Sequence, residues 1–199
     1  MRPYVVAVEG LSEAISAYGE LPPKIVRFAR MAINTTARRS RTLASREMRR
    51  QVAFTARYLS DKSGRLSISQ TATDARLEAR IRGRHRPTSL ARFSRGGGRR
   101  GVRVQVKPGS SQVMDRAFFM PLRAGRAPIE TRSNLGLAIR LRPGERLANK
   151  HKMIQVSGNL YLLYGPSVDQ VFRTVAEDIK PEAADILQAE FNRLLDRLN

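Results

Sequence analysis

The spacing of apolar residues changes period along the chain, and each change marks a different kind of element. Ile25, Phe28, Ala29, Ala32 and Ile33 recur every three or four residues, and Leu43, Ala44, Met48, Val52 and Tyr58 continue the stripe. That period is one face of an α-helix. Pro22-Pro23 precedes it, and proline is tolerated in a first helical turn. No Gly or Pro interrupts residues 24–63, so the spacing predicts one long helix there, with a weak point near Thr36–Thr42. A shorter helix is predicted over Leu11–Tyr18, closed by Gly19.

Beyond Gly64 the period falls to two. Arg65–Ser69 alternates briefly, and Ala75–Arg84 alternates better, with Leu77, Ala79 and Ile81 facing one way and Glu78, Arg80 and Arg82 the other. That is the pattern of a half-buried strand. His85–Leu90 reads as a turn, and residues 93–101 (Phe-Ser-Arg-Gly-Gly-Gly-Arg-Arg-Gly) as a flexible basic loop. Val102, Val104 and Val106 alternate with Arg103, Gln105 and Lys107 up to Pro108-Gly109. The strands on either side of the glycine loop are expected to form a long hairpin with a basic tip. Residues 116–123 and 135–141 read as further strands, and 152–164 as a hairpin turning at Ser157-Gly158-Asn159.

Gly165-Pro166 breaks the sheet, and Ser167 is positioned to cap a helix. That helix carries Val168, Val171, Phe172, Val175 and Ile179 on one face. Pro181 opens another with Ile186, Leu187, Phe191, Leu194, Leu195 and Leu198. The class is α+β: long N-terminal helices, a central and mostly antiparallel sheet, and C-terminal amphipathic helices. The expected organisation is a single domain over 1–199, with a helical arm over about 11–63, a sheet with its basic loop over about 65–164, and C-terminal helices over about 167–198.

Charge sharpens this picture. The chain has 199 residues and a formal net charge of +20. Residues 20–110 hold 23 Lys/Arg against 5 Asp/Glu, whereas residues 166–199 hold 4 against 7. A field of that size and asymmetry attracts nucleic acid, an anionic membrane or an acidic partner. Arginine supplies 31 of the 37 basic residues, and its planar fork grips phosphate or carboxylate at two points.

Other chemistry is sparse. The absence of cysteine removes disulfides, thiolate metal sites and cysteine catalysis. No run reaches the roughly 20 apolar residues of a membrane span, and the apolar stretch near the start is too short for a signal peptide. His85 and His151 lie far apart beside basic residues and read as ordinary loop histidines. Gly96-Gly97-Gly98 is not a phosphate-binding loop, because no Gly-Lys-Ser/Thr follows and a strand comes next. No serine has nucleophile-elbow spacing. Acidic residues in the central sheet are too few for a metal-dependent nuclease, which needs clustered carboxylates, although a fold could still assemble Asp61, Asp74 and Glu78. Neither an enzyme nor a cofactor or metal site is expected.

The densest basic stretch is Arg38, Arg39, Arg41, Arg46, Arg49 and Arg50 on the long helix, with Arg39, Arg46 and Arg50 near one face. Such a face suits salt-sensitive phosphate contacts that read no sequence. It equally suits a solvated surface or pairing with an acidic neighbour. Arg95, Arg99, Arg100 and Arg103 extend the basic set into the glycine segment, as a phosphate clamp or a hairpin tip that orders on assembly. No motif for sequence-specific reading is present. With 6% aromatic residues and no Trp, stacking on single strands is not favoured.

Three segments carry a resemblance: Met31-Ala32-Ile33-Asn34-Thr35-Thr36-Ala37-Arg38-Arg39, Leu77 to Phe93, and Leu163-Tyr164-Gly165-Pro166-Ser167-Val168-Asp169-Gln170-Val171-Phe172. Together they resemble the prophage minor tail protein Z family, over roughly residues 24–198. The Gly-Pro-Ser-Val piece is the most specific, and it also occurs in related tail-completion proteins of tailed phages. The resemblance implies a non-catalytic virion protein at the head–tail junction, forming a homo-oligomeric ring. Its partners would be neighbouring neck and tail proteins such as the connector and the tail terminator, with duplex DNA contacted non-specifically and no membrane. On that reading the assembly interface is expected at Ile25, Phe28, Val168, Val171, Phe172, Leu187, Phe191 and Leu194, on apolar stripes exposed in the isolated chain. The alternative is a free-standing, non-specific nucleic-acid-binding protein.

Overall fold

A computed structural model describes residues 4–7, 22–122, 135–145 and 153–198. Among these residues the protein is α+β, with three helices and three antiparallel sheets. The predicted helix over Leu11–Tyr18 lies outside the described residues. The chain divides into two compact units. One comprises residues 1–48, 55–84 and 169–199; the other comprises 49–54 and 85–168.

The first unit is built on β1 (Tyr4–Ala7), β2 (Leu66–Gln70) and β3 (Glu78–Gly83), in the order β1-β3-β2. Ala79 and Ile81 alternate inward on β3, as the period-two pattern predicts. Helix α1 (Pro23–Gln51) buries Ala29, Ala32, Ile33, Thr36, Ala37, Ser40, Ala44 and Met48 along one face. Ile33 and Ala37 share a core with Ala72 and Ala79, against which Tyr4, Ile68, Leu77 and Leu187 pack. Asn34 pins the same region: its Nδ2 donates to the Ala72 carbonyl at 3.0 Å, and its Oδ1 accepts from the Ala72 N–H at 2.8 Å. The C-terminal helices are α2 (Val168–Asp178) and α3 (Lys180–Leu195). Phe172 of α2 meets Tyr4 edge-on, with ring centroids 6.2 Å apart.

Two expectations for the N-terminal helix change. It is helical without interruption through Thr36–Thr42, and it ends at Gln51, not at residue 63. The end is set by tertiary bonding that local sequence does not announce. The Ala53 N–H donates to the Val106 carbonyl at 2.8 Å, taking the backbone out of the helical ladder. Residues 55–60 then coil into turns, with Thr55 accepting from Tyr58, and Asp61–Ser63 form one 3-10 turn closed by Gly64.

The second unit holds the other two sheets. In the larger one, β8 (Phe118–Pro121), β9 (Leu135–Arg140), β11 (Leu160–Gly165) and β10 (Met153–Ser157) run in the order β10-β11-β9-β8. The short β4 (Thr88–Ser89) also pairs with β11. The smaller sheet is β5 (Ser94–Gly98), β6 (Gly101–Lys107) and β7 (Ser110–Asp115), in that order. Buried Phe54, Leu90, Phe93, Val102, Val104, Leu137, Leu162 and Leu163 supply apolar core to this unit.

The single central sheet and the long hairpin are therefore corrected. The 75–84 strand pairs with β1 and β2, not with the Val102–Val106 strand. The partner of β6 is the glycine segment itself, which is strand β5, not a loop, with Arg99-Arg100 as a two-residue turn. Glycine makes this turn possible. Gly101 has φ 143°, and a Cβ there would drive into the Met114 carbonyl oxygen across the strand pair. Where His85–Leu90 suggested only a turn, β4 and a 3-10 turn (Leu90–Phe93) bury Thr88, Leu90 and Phe93.

Candidate polyanion-binding face

Helix α1 sorts its basic residues by angle. The buried face spans Ala29 to Met48. At about 100° per residue, the opposite line passes through Lys24, Arg27, Met31, Arg38 and Thr42, with Arg46 on its flank. All six are exposed. The side-chain nitrogens of Lys24, Arg27 and Arg38 make no hydrogen bond or ion pair among the described residues. Arg46 pairs with its neighbour Glu47, at 3.4 Å, and stays 57% exposed. Arg49 and Arg50 stand exposed in the last turn, where positive charge complements the carbonyl end of the helix dipole.

Two of the predicted arginines serve the fold. Arg41 is half-buried and donates to the Leu59 and Leu66 carbonyls at 3.4 and 3.5 Å. Arg39 reaches across to α3, where its Nη2 lies 2.9 Å from Glu190 Oε1. Arg193 holds the other oxygen of that carboxylate through Nε and Nη2, at 3.2 and 2.8 Å. Glu190 is 7% exposed. The hydrogen bond from Arg193, then the positive charges of Arg193 and Arg39, hold its carboxyl below the usual carboxylate range despite burial.

In the second unit, Arg95, Arg99, Arg100 and Arg103 are all exposed. Arg95 is ordered by Gln105, whose Oε1 accepts from Nε at 2.7 Å. Arg99 and Arg100 occupy the β5–β6 turn, and the Arg100 carbonyl accepts the Arg116 N–H at 2.8 Å. Arg103 projects from the face of β6 opposite buried Val102 and Val104. A cleft of about 380 Å³ beside Arg95 is lined by Ala91, Ser94, Arg95, Gly96, Phe119 and Leu135.

The apolar residues expected at an assembly interface are differently placed. Val168, Val171, Phe172 and Leu194 are buried within the chain itself. Ile25, Phe28, Leu187 and Phe191 are half-buried, Leu187 against the first unit's core. The stripes are covered by the fold, so the expectation that they stand exposed in the isolated chain does not hold. Large exposed apolar side chains occur on the outer strands of the larger sheet: Phe118 and Phe119 on β8, Ile154 and Val156 on β10.

No carboxylate centre forms among the described residues, and no group of three His, Asp or Glu there is arranged to hold a metal ion. Asp74 pairs with Arg30 at 3.3 Å, Glu78 bonds Arg80 and Gln70, and Asp61 lies in the exposed 3-10 turn. His85 is exposed, and His151 lies outside the described residues. No described helix is long and apolar enough to cross a membrane.

Sequence reasoning missed Lys24 and Arg27. The signal was present: Arg27 precedes Arg38 by 11 residues, three turns plus about 20°. No family model, curated protein or solved structure matches this chain.

Proposed function

We propose that this chain is a non-catalytic structural protein of a tailed bacteriophage particle, a tail-completion or neck subunit whose basic surfaces meet the DNA passing from head to tail. The observation that carries the reading is the exposed basic line of α1, where Lys24, Arg27 and Arg38 have no intramolecular partner among the described residues. Cations without a partner among the described residues, held along a helix, are poised for an external polyanion, and contacts to phosphates read no sequence. The basic β5–β6 turn supplies a second contact region.

Assembly into a ring is assigned to the edges of the larger sheet, in place of the helical stripes. Outer strands that carry exposed apolar side chains suit pairing with a neighbouring subunit. The partners are further copies of the chain and adjacent neck and tail proteins, and the location is the virion. The second reading, a free-standing duplex-binding protein, draws on the same basic line and is favoured by the burial of Val168, Val171, Phe172 and Leu194, which removes the expected helical assembly face.

Electron cryo-microscopy of particles from a producing strain tests the choice. Density for this chain as a closed ring at the head–tail junction is expected. Particles complete without it would leave only the free-standing reading.

A further inference from the structure

Resting on the reading that α1 contacts DNA, we infer that its basic line takes B-form duplex lengthwise, with the helix lying along the duplex axis and bridging one full turn. Lys24 and Arg46 are 22 residues apart, which is about 33 Å of helix and six turns plus about 40°. One turn of B-DNA rises about 34–36 Å. A rod laid along the duplex therefore brings Lys24 and Arg46 to the same phosphate ridge, one turn apart.

Arg38 divides that span unequally. It lies about 21 Å from Lys24 and about 12 Å from Arg46 along the helix. On one side of a duplex the two phosphate ridges also alternate unequally, because the major groove is about twice as wide as the minor groove. Arg38 thus falls on the opposite strand's ridge, with the major groove toward Lys24 and the minor groove toward Arg46. Arg27, one turn from Lys24, doubles the contact at the first ridge.

The face is also built to stay at the surface of the duplex. Met31 and Thr42, between the cations, are too short to reach a groove floor past the phosphates. The helix is stiffened by its opposite face, with eight residues buried from Ala29 to Met48. Its cations therefore keep their spacing, and their contacts depend on the ligand having matching spacing. A single strand, whose phosphates follow no fixed pitch, and an acidic polypeptide, whose carboxylates do not repeat at this interval, satisfy fewer of them at once.

The test uses the full-length protein and fluorescent duplexes of about 8, 12 and 24 bp, which span about 27, 41 and 82 Å at 3.4 Å per base pair. A single strand of about 24 nucleotides and a poly-glutamate of equal charge are measured alongside, all at about 50 mM salt. The expected result is a threshold: affinity rises about tenfold or more from 8 to 12 bp, then only in proportion to the number of sites, with single strand and poly-glutamate bound about fivefold or more weakly than 24 bp. If 8 bp binds as tightly as 12 bp after correction for site number, lengthwise bridging is wrong while DNA contact stands. If single strand or poly-glutamate matches 24 bp, the preference for a duplex is wrong. Absence of binding to every DNA overturns both this inference and the reading beneath it.

Discussion

Replacing Glu190 with Gln is expected to weaken the fold and strengthen DNA binding in the same molecule. The carboxylate accepts two hydrogen bonds from Arg193 and one ion pair from Arg39. Gln keeps the shape but loses the charge and one acceptor. Charge-assisted bonds of this kind contribute about 1.5–3 kcal/mol when well shielded. Here the two arginine side chains are 56% and 52% exposed, so water screens the attraction, and a loss of about 1–2 kcal/mol is expected. Faster hydrogen–deuterium exchange along α3 would report it. The contribution is also pH-dependent. Because the folded-state pKa of Glu190 is lowered, its stabilisation is complete at neutral pH and is lost as pH falls through the carboxylate range. The Gln variant should lack that dependence. At the same time Arg39 is released toward solvent, which adds up to one phosphate contact and steepens the salt dependence of duplex binding by about 0.9 in log–log slope. Unchanged α3 exchange together with an unchanged slope would refute the idea that Glu190 holds Arg39.

Other substitutions separate fold from contact. Asn34→Ala strands the Ala72 N–H and carbonyl, so chemical denaturation should show a loss of about 1–3 kcal/mol. Arg41→Gln removes the two long bonds to Leu59 and Leu66; stability should fall by about 0.5–1 kcal/mol while duplex affinity in titration stays constant. Gly101→Ala meets both a positive φ and the Met114 backbone, so thermal melts should register a loss of at least about 2 kcal/mol. Gly98→Ala, with open space and no positive φ, should stay within about 0.5 kcal/mol of the parent.

Much of the fold was legible in the sequence where burial was one-sided. The period-3.6 stripe of α1 and the inward Ala79 and Ile81 of β3 follow from one apolar face meeting one core, whereas the β10–β11 hairpin was legible from its turn at Ser157-Gly158-Asn159. Strand β7 was missed because Ser110–Asp115 is mostly exposed and shows no apolar alternation. Strand β5 was missed because three glycines carry no side chains to alternate. The end of α1 was missed because a bond from Ala53 to distant Val106 decides it. For the site, the sequence showed that arginine is dense on one helix. It did not show that Arg39 and Arg41 are committed to Glu190 and to two carbonyls, because those partners lie 151, 18 and 25 residues away.

The salt dependence of duplex binding tests the central claim most directly. For the protein with Arg27→Gln, Arg38→Gln and Arg46→Gln together, the slope of log affinity against log salt on a 24-bp duplex should fall by about 2.7, or about 0.9 for each phosphate contact removed. A triple variant that keeps its fold and shows the parent's slope would place those three side chains in water, not on DNA.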